Sequence, residues 1–208
     1  MRRLRDTEFL RHVTQSHWMH SCLLPPWFLA VVLAWMLIDA PCLPAQSPKP
    51  TDYDVKAVYL YNFGRFVEWP TSGIAAKDDS FNICVLGQDP FGPALDATLA
   101  GETIDGKSVV ARRISSPEES GNCRIVFMSA GEEGRMNKII DALNKEGVLT
   151  VSDMPQFSQH GGMIQFVLEE KKVRFEVNLT AVQRAGLTLS SELLKVATAV
   201  RRNSSSGD

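Results

Sequence analysis

The feature that most constrains the fold is an alternation of short apolar runs with amphipathic segments along the middle of the chain. Runs dense in branched and aromatic residues are typical of buried strands, and apolar residues repeating every three or four positions are typical of helices. The predicted strands are 81–86, 107–114, 124–128 and 148–151, and the predicted helices between them include 131–145. Parallel strands need crossover helices of this length, so the pattern predicts an α/β domain.

The helix after the first predicted strand has recognisable ends. Asp89 is the expected N-cap and Pro90 the first helical residue, because Asp accepts the free N–H groups there and proline lacks one. Gly101 is expected to end this helix.

The flanks of this region predict further elements. Residues 52–69 form a predicted helix that ends before Pro70, because the residue before proline avoids helical geometry. Its apolar residues recur every three or four positions as one stripe, formed by Val55, Val58, Tyr59, Phe63, Phe66 and Val67. Near the C-terminus, 163–168 and 172–178 form a predicted antiparallel hairpin, followed by helices over 180–185 and 190–200. The fold class is therefore α/β, with a mixed sheet of about five or six strands flanked by helices.

The first 45 residues differ from the rest. Four arginines in 1–11 precede an apolar run of about a dozen residues, 26–38, and a small-residue site ends at Ala45. This order is typical of a secretory signal, and the run is shorter than the roughly 20 residues of a membrane span. We expect a signal peptide over 1–45, a linker over 46–51, a domain over 52–200 and a disordered tail over 201–208, with an uncleaved anchor as the alternative.

The chain after Ala45 is nearly neutral, with 18 Lys and Arg against 21 Asp and Glu. This balance gives no reason to expect a nucleic acid polymer as partner. Its cysteines are Cys84 and Cys123, an even pair in an exported chain, which favours a disulfide over two buried free thiols. With one histidine, His160, a metal site is not expected, and no cofactor is predicted.

Four polar residues are candidates for a ligand site. Arg174, Glu176 and Asn178 alternate on one face of the second hairpin strand, where they could line a groove for an anionic or zwitterionic ligand or form a solvated face. His160 could contribute to that groove or lie on the surface. A hydrolytic grouping of His160 with Asp153 and Ser158 is disfavoured, because no nucleophile elbow accompanies it. The glycine-bearing turns at 87–92 and 131–134 are interpreted as ordinary strand-to-helix turns.

Four aromatic residues of the first helical segment allow two interpretations. They could pack in the core, or they could form a surface on which a partner or a second subunit docks, because Trp and Tyr are enriched at interfaces. The residues are Tyr59, Phe63, Phe66 and Trp69.

Several segments, taken together and in order, resemble the YfiR family of periplasmic regulators, over residues 52 to 200. They are KAVYLYNFGRFVEWP at 56–70, FNICVLG at 81–87, GGMI at 161–164, VRFEVN at 173–178 and AGLTLSSELL at 185–194.

The resemblance implies a non-enzymatic periplasmic protein that is a homodimer and represses a membrane-bound diguanylate cyclase by contacting its periplasmic sensor domain. Cyclic di-GMP signalling and biofilm formation would then be under its control. It also implies a Cys84–Cys123 bridge, whereas the second cysteine pair of the best-known member is missing here. A membrane-bound sensor kinase is the alternative to a diguanylate cyclase as the partner. The alternative function is a small-ligand-binding module that serves a receptor, sensor kinase or transporter.

Overall fold

The computed structural model describes residues 49–70, 79–144 and 147–202. The predicted signal peptide and most of the predicted tail lie outside these ranges. Within them, no helix has both the length and the apolar character that crossing a membrane requires.

The first helix, α1, spans Asp52–Phe66 and begins with a capping box in which Thr51 and Asp54 satisfy each other's backbone N–H groups. Its buried face coincides only in part with the stripe predicted from the sequence, of which Phe63 and Val67 are buried and Val55 and Tyr59 are partly buried. The buried positions are Lys56, Ala57, Leu60, Phe63 and Gly64. Val58 and Phe66, which belong to the predicted stripe, are exposed by 48% and 37%.

The main sheet has eight strands rather than the five or six predicted. They are β2 (Ser80–Leu86), β3 (Thr103–Ile104), β4 (Lys107–Ile114), β5 (Cys123–Met128), β6 (Leu149–Ser152), β7 (Ile164–Glu169), β8 (Lys172–Asn178) and β10 (Ala199–Arg201). Their order is β10-β8-β7-β6-β5-β2-β4-β3. The five central strands β4, β2, β5, β6 and β7 are parallel, and β8 pairs antiparallel with β7 as the predicted hairpin. A separate two-stranded sheet joins β1 (Val67–Glu68) to β9 (Thr188–Leu189).

The remaining helices are α2 (Pro93–Leu99), α3 (Met136–Leu143), α4 (Leu179–Arg184) and α5 (Ser191–Val196). Short 3-10 helices, Pro117–Asn122 and Ala130–Arg135, precede β5 and α3. The class and the strand–helix alternation are therefore as predicted.

Several predicted helices have different bounds in the structure. The helix predicted over 52–69 ends at Phe66, and the one predicted over 131–145 begins as the 3-10 helix Ala130–Arg135 and is α-helical only over Met136–Leu143. Asp89 is not an N-cap, because its carboxylate accepts from the backbone of Phe91 and from Arg113, and the helix starts only at Pro93. The predicted helix over 190–200 ends at Val196, and the following residues form β10, which pairs with β8. The backbone of Ala199–Arg201 forms hydrogen bonds with the edge strand β8, which a continuation of the helix could not form.

The sheet separates two apolar layers, as expected for parallel strands covered on both faces. Along β2, Phe81, Ile83 and Val85 point to the larger layer, which contains the buried face of α1. Cys84 and Leu86 point to the smaller layer, which α3 covers. The odd and even residues of a single strand thus stabilise opposite sides of the domain.

Candidate functional site

The two cysteines form a disulfide between neighbouring strands of the sheet. Cys84 lies in β2 and Cys123 begins β5, with their Cα atoms 5.9 Å apart. Both residues are buried, at 0% and 1% exposure. The bridge is therefore part of the smaller core layer and confirms the predicted pairing.

The three polar residues of β8 share a face, as predicted, but their environments differ. Arg174 is exposed, Glu176 is half-buried, and Asn178 is buried. Glu176 forms an ion pair with Arg201 of β10 at 3.2 Å and accepts from the Ser158 hydroxyl at 3.3 Å. Asn178 donates to the Ser158 carbonyl and accepts from the Ala181 N–H, so its amide caps α4.

A polar cleft of about 520 Å³ lies between α3, the loop before β7 and α4. We call it the His160 cleft, and its lining residues used below are Asn137, Asp141, His160, Asn178 and Arg184. His160, which is exposed, and Asn178 both line it, but Arg174 and Glu176, the other two residues of the groove considered above, are not among its described lining residues. The carboxylate of Asp141 and the guanidinium of Arg184 provide both charge signs in one cleft.

The three residues considered for hydrolysis engage other groups. Asp153 pairs with Lys56, the Ser158 hydroxyl bonds to Gln165 and Glu176, and the His160 Nδ1 lies 2.9 Å from the Gln156 carbonyl. No described hydrogen bond joins any two of them, so the geometry does not favour a nucleophile–base arrangement.

The aromatic residues of α1 divide between the core and the surface. Phe63 is fully buried, stacks on Phe166 with ring centroids 5.8 Å apart, and packs edge-on against Phe175 at 5.1 Å. The prediction that Phe63 belongs to a partner surface is therefore wrong, since the sheet covers it completely. Tyr59 is half-buried against the same rings, whereas Phe66 is 37% exposed.

Trp69 lies in the wall of a second cleft, of about 460 Å³, next to the end of α1. We call it the Trp69 cleft. Its lining residues are Gly64, Arg65, Val67, Glu68, Trp69, Pro70, Phe81, Ile104, Asp105, Lys107 and Arg124. The indole ring packs edge-on against Phe81 at 5.3 Å, and the Arg124 guanidinium lies 5.9 Å from the indole centroid.

A charged cluster that the sequence analysis missed joins α1 to the end of β6. The ammonium of Lys56 lies 2.6 Å from the Asp153 carboxylate, and the Tyr53 hydroxyl donates to the same Oδ2 atom at 2.8 Å. Burial, and then the hydrogen bond to Asp153, raises the pKa of Tyr53 to about 12. The signal in the sequence was the spacing of Lys56 with Leu60 and Phe63, which places the lysine on the buried face.

The two glycine-bearing turns lie at the carboxyl ends of β2 and β5, where open α/β sheets commonly bind ligands. Here the side chain of Glu132 occupies that position. A Cβ built on Gly87 would lie only 2.8 Å from the Glu132 Oε1, and the carboxylate is held by Arg135. A buried carboxylate at this point disfavours a phosphate, in agreement with the interpretation of ordinary turns.

Two solved structures are similar to this chain at low identity. One is a conserved domain protein from Vibrio cholerae O1 biovar El Tor str. N16961, with 12% identity, a TM-score of 0.46, and 58% of this chain and 54% of that chain covered. The other is the ABC domain in complex with L-Trp from Streptococcus pneumonia, with 11% identity, a TM-score of 0.48, and 70% and 60% covered. This chain thus spans less than two thirds of either.

The family model described as YfiR/HmsC-like (DUF4154) matches residues 53–198. That range contains nearly all of the described structure, from α1 to the start of β10, together with both bridged cysteines. The chain therefore belongs to the YfiR/HmsC-like family.

Proposed function

We propose that this protein is a periplasmic regulator that binds the periplasmic sensor domain of a membrane-bound diguanylate cyclase and represses it without catalysing a reaction. The observation that carries the proposal is the family match over residues 53–198. A buried disulfide supports the location, because such bonds persist in oxidising compartments. Cleavage of the leader and assembly into a homodimer are parts of the same proposal.

The exposed side of α1 and the residues after it provide a candidate contact surface for the sensor domain. Phe66 and Val58 are large apolar residues left partly open to solvent on this helix, and Trp69 is half-buried beside them. Aromatic side chains of this kind commonly supply most of the binding energy at interfaces.

Repression follows if the regulator binds the inactive conformation of the sensor domain more tightly than the active one. Only this difference in affinity shifts the equilibrium between the two states. A hundredfold preference corresponds to about 2.7 kcal/mol, enough to convert an evenly populated pair of states into one that is almost entirely inactive.

Deleting the gene and measuring cyclic di-GMP tests this proposal in the cell. We expect the level to rise and to return to normal when the gene is supplied again. An unchanged level in the deletion strain would refute repression of a cyclase.

The contact surface is tested by Phe66→Asp, with Val200→Asp as the matched control. The two side chains are 37% and 38% exposed, but Val200 lies on β10 at the edge of the sheet. We expect Phe66→Asp to weaken binding to the purified periplasmic domain of the cyclase at least tenfold and Val200→Asp to leave it unchanged. Equal binding by the two variants would remove α1 from the interface.

A small-ligand-binding module is the second candidate function, and the His160 cleft favours it. A cavity of about 520 Å³ lies in the usual size range of ligand sites, and Asp141 and Arg184 could hold opposite charges of one zwitterion. Calorimetric titration with amino acids tests this function. Binding that is lost in Arg184→Gln, in the absence of any protein partner, would support it.

A further inference from the structure

We propose that the outer edge of β4 binds an extended segment of another protein by antiparallel strand addition, and that this segment carries an acidic residue two positions before an apolar one. This edge is a different surface from the contact proposed above, because Val58, Phe66 and Trp69 are not part of β4. The free hydrogen-bonding groups of the edge and the side chains beside them indicate what it can bind.

β4 is paired along the whole of one edge but only at the start of the other. On the inner edge, residues 108–114 pair with β2 without a register shift. On the outer edge, β3 pairs only with Lys107 and Ser108. The next contact is the N–H of Val109, which donates to the Glu102 carbonyl. Beyond Val109, no strand in the described part of the chain covers the outer edge.

The backbone groups left free on this edge belong to Ala111 and Arg113. The N–H and C=O groups of successive residues in a strand point to alternate edges. The Val109 N–H points outward to the β3 side, and the Ile114 carbonyl points inward, where it accepts from Gly87. The groups of Ala111 and Arg113 therefore point outward, and within the described ranges they have no backbone partner there. Such a row of unpaired groups is the template that an added strand requires.

The side chains on the two faces of this edge differ in the charge they leave uncompensated. Val110 and Arg112 point to the smaller-layer side of the sheet. Val110 is 41% exposed, and Arg112 is exposed and has no ion-pair partner among the residues that the structure describes. On the opposite face, the Arg113 guanidinium is held by Asp89 and Asp96 at 2.8 and 2.7 Å. Only the face with Val110 thus combines an open apolar side chain with an unpaired cation.

This combination selects the sequence of the added strand. Residues directly opposite each other on neighbouring strands have side chains in contact. An acidic residue opposite Arg112 and an apolar residue opposite Val110 are the complementary pairs, and in an antiparallel strand the acidic residue comes first. Antiparallel pairing is favoured because it is slightly more stable per residue than parallel pairing.

A second copy of this chain fits the same edge poorly. Symmetrical pairing of β4 with itself about Ala111 would place the partner strand where Glu102 already lies beside Val109. Pairing about Arg112 or Arg113 would place two arginines directly opposite each other, and like charges in that position are destabilising. The occupant is therefore a segment of different sequence.

The test is titration of the ¹⁵N-labelled protein with two hexapeptides blocked at both ends, TTETVT and TTTEVT. They have the same composition, but only the first can place glutamate and valine on one face of a strand, because adjacent residues point to opposite faces. We expect TTETVT to bind saturably and to move the amide proton signals of Ala111 and Arg113 downfield, since their N–H groups gain acceptors. TTTEVT should bind about fivefold more weakly. Equal binding of the two peptides, or no shift of these two signals, would overturn the proposal.

Reversing the charge of the edge tests the role of Arg112. Arg112→Glu should weaken binding of TTETVT about fivefold and should bind the lysine peptide TTKTVT more tightly than the native sequence does. The matched control is Arg174→Glu, which reverses the charge of another exposed strand arginine, on β8, and should have no effect. Unchanged binding in Arg112→Glu, or an equal loss in Arg174→Glu, would show that the peptide lies elsewhere and would overturn the proposal.

Blocking the backbone tests strand addition itself. Ala111→Pro removes an N–H that points away from β2, so the pairing of β4 with β2 is retained and peptide binding should be lost. Full binding by this variant would exclude a strand added at this edge. A concentration series without peptide tests self-association, and movement of the Ala111 and Arg113 signals in that series would identify a second copy as the occupant and overturn the proposal.

Discussion

Removing the Cys84–Cys123 bridge should lower the free energy of unfolding by about 4 kcal/mol. The two cysteines are 39 positions apart, and closing a loop of that size lowers the entropy of the unfolded chain by roughly 13 cal/mol/K in the chain-entropy model. At 25 °C this entropy corresponds to about 4 kcal/mol. Single domains have a net stability of only about 5 to 15 kcal/mol, so the change is large enough to be decisive.

The assay is urea unfolding followed by far-UV circular dichroism, with and without a thiol reductant. The matched control is Cys84→Ala/Cys123→Ala, which cannot form the bridge and so reports any effect of the reductant that does not pass through it. We expect the reductant to destabilise the native sequence and to leave the double variant unchanged. A difference below about 1 kcal/mol in the native sequence would refute the reasoning.

The burial of the bridge adds a kinetic expectation. Both sulfur-bearing residues are at most 1% exposed, so a reductant can reach them only when the smaller core layer opens. Reduction without denaturant should therefore be slow and should accelerate steeply as urea is added. Fast reduction of the folded protein would show that the bridge is more accessible than the structure indicates.

Three further predictions concern the core and the charged cluster. Lys56→Met should cost about 3 to 5 kcal/mol in urea unfolding, because Asp153 is left without its charge partner, and the double variant with Asp153→Leu should recover much of this loss. Tyr53 should ionise near pH 12 in an ultraviolet titration, and a midpoint near pH 10 would contradict its contact with Asp153. Because the pKa of Tyr53 is raised in the folded protein, its contribution to stability is complete below about pH 10 and is lost as the pH rises through 12. Phe63→Ala should cost about 3 to 5 kcal/mol and Phe66→Ala less than about 1, and similar losses would contradict their different burial.

Much of the site could be anticipated from local sequence, but the grouping of its residues could not. Cys84 and Cys123 were recognisable as a pair because only two cysteines follow the predicted signal peptide. The environment of Asn178 was not recognisable, since its capping of α4 depends on a helix that begins directly after β8. Lys56 and Asp153 lie 97 positions apart, and nothing near either residue indicates the other.

The sequence by itself determined the α/β class, the central strands, the C-terminal hairpin and the family resemblance, because strand and helix periodicities act over a few neighbouring residues. Only the tertiary structure decided which face of α1 is buried, because that choice depends on the shape of the sheet beneath it. It also decided that Ala199–Arg201 forms a strand, since the exposed edge of β8 supplies hydrogen bonds that the local sequence cannot reveal. The two clefts arise in the same way, because their walls come from segments that are distant in the chain and become neighbours only when the domain folds.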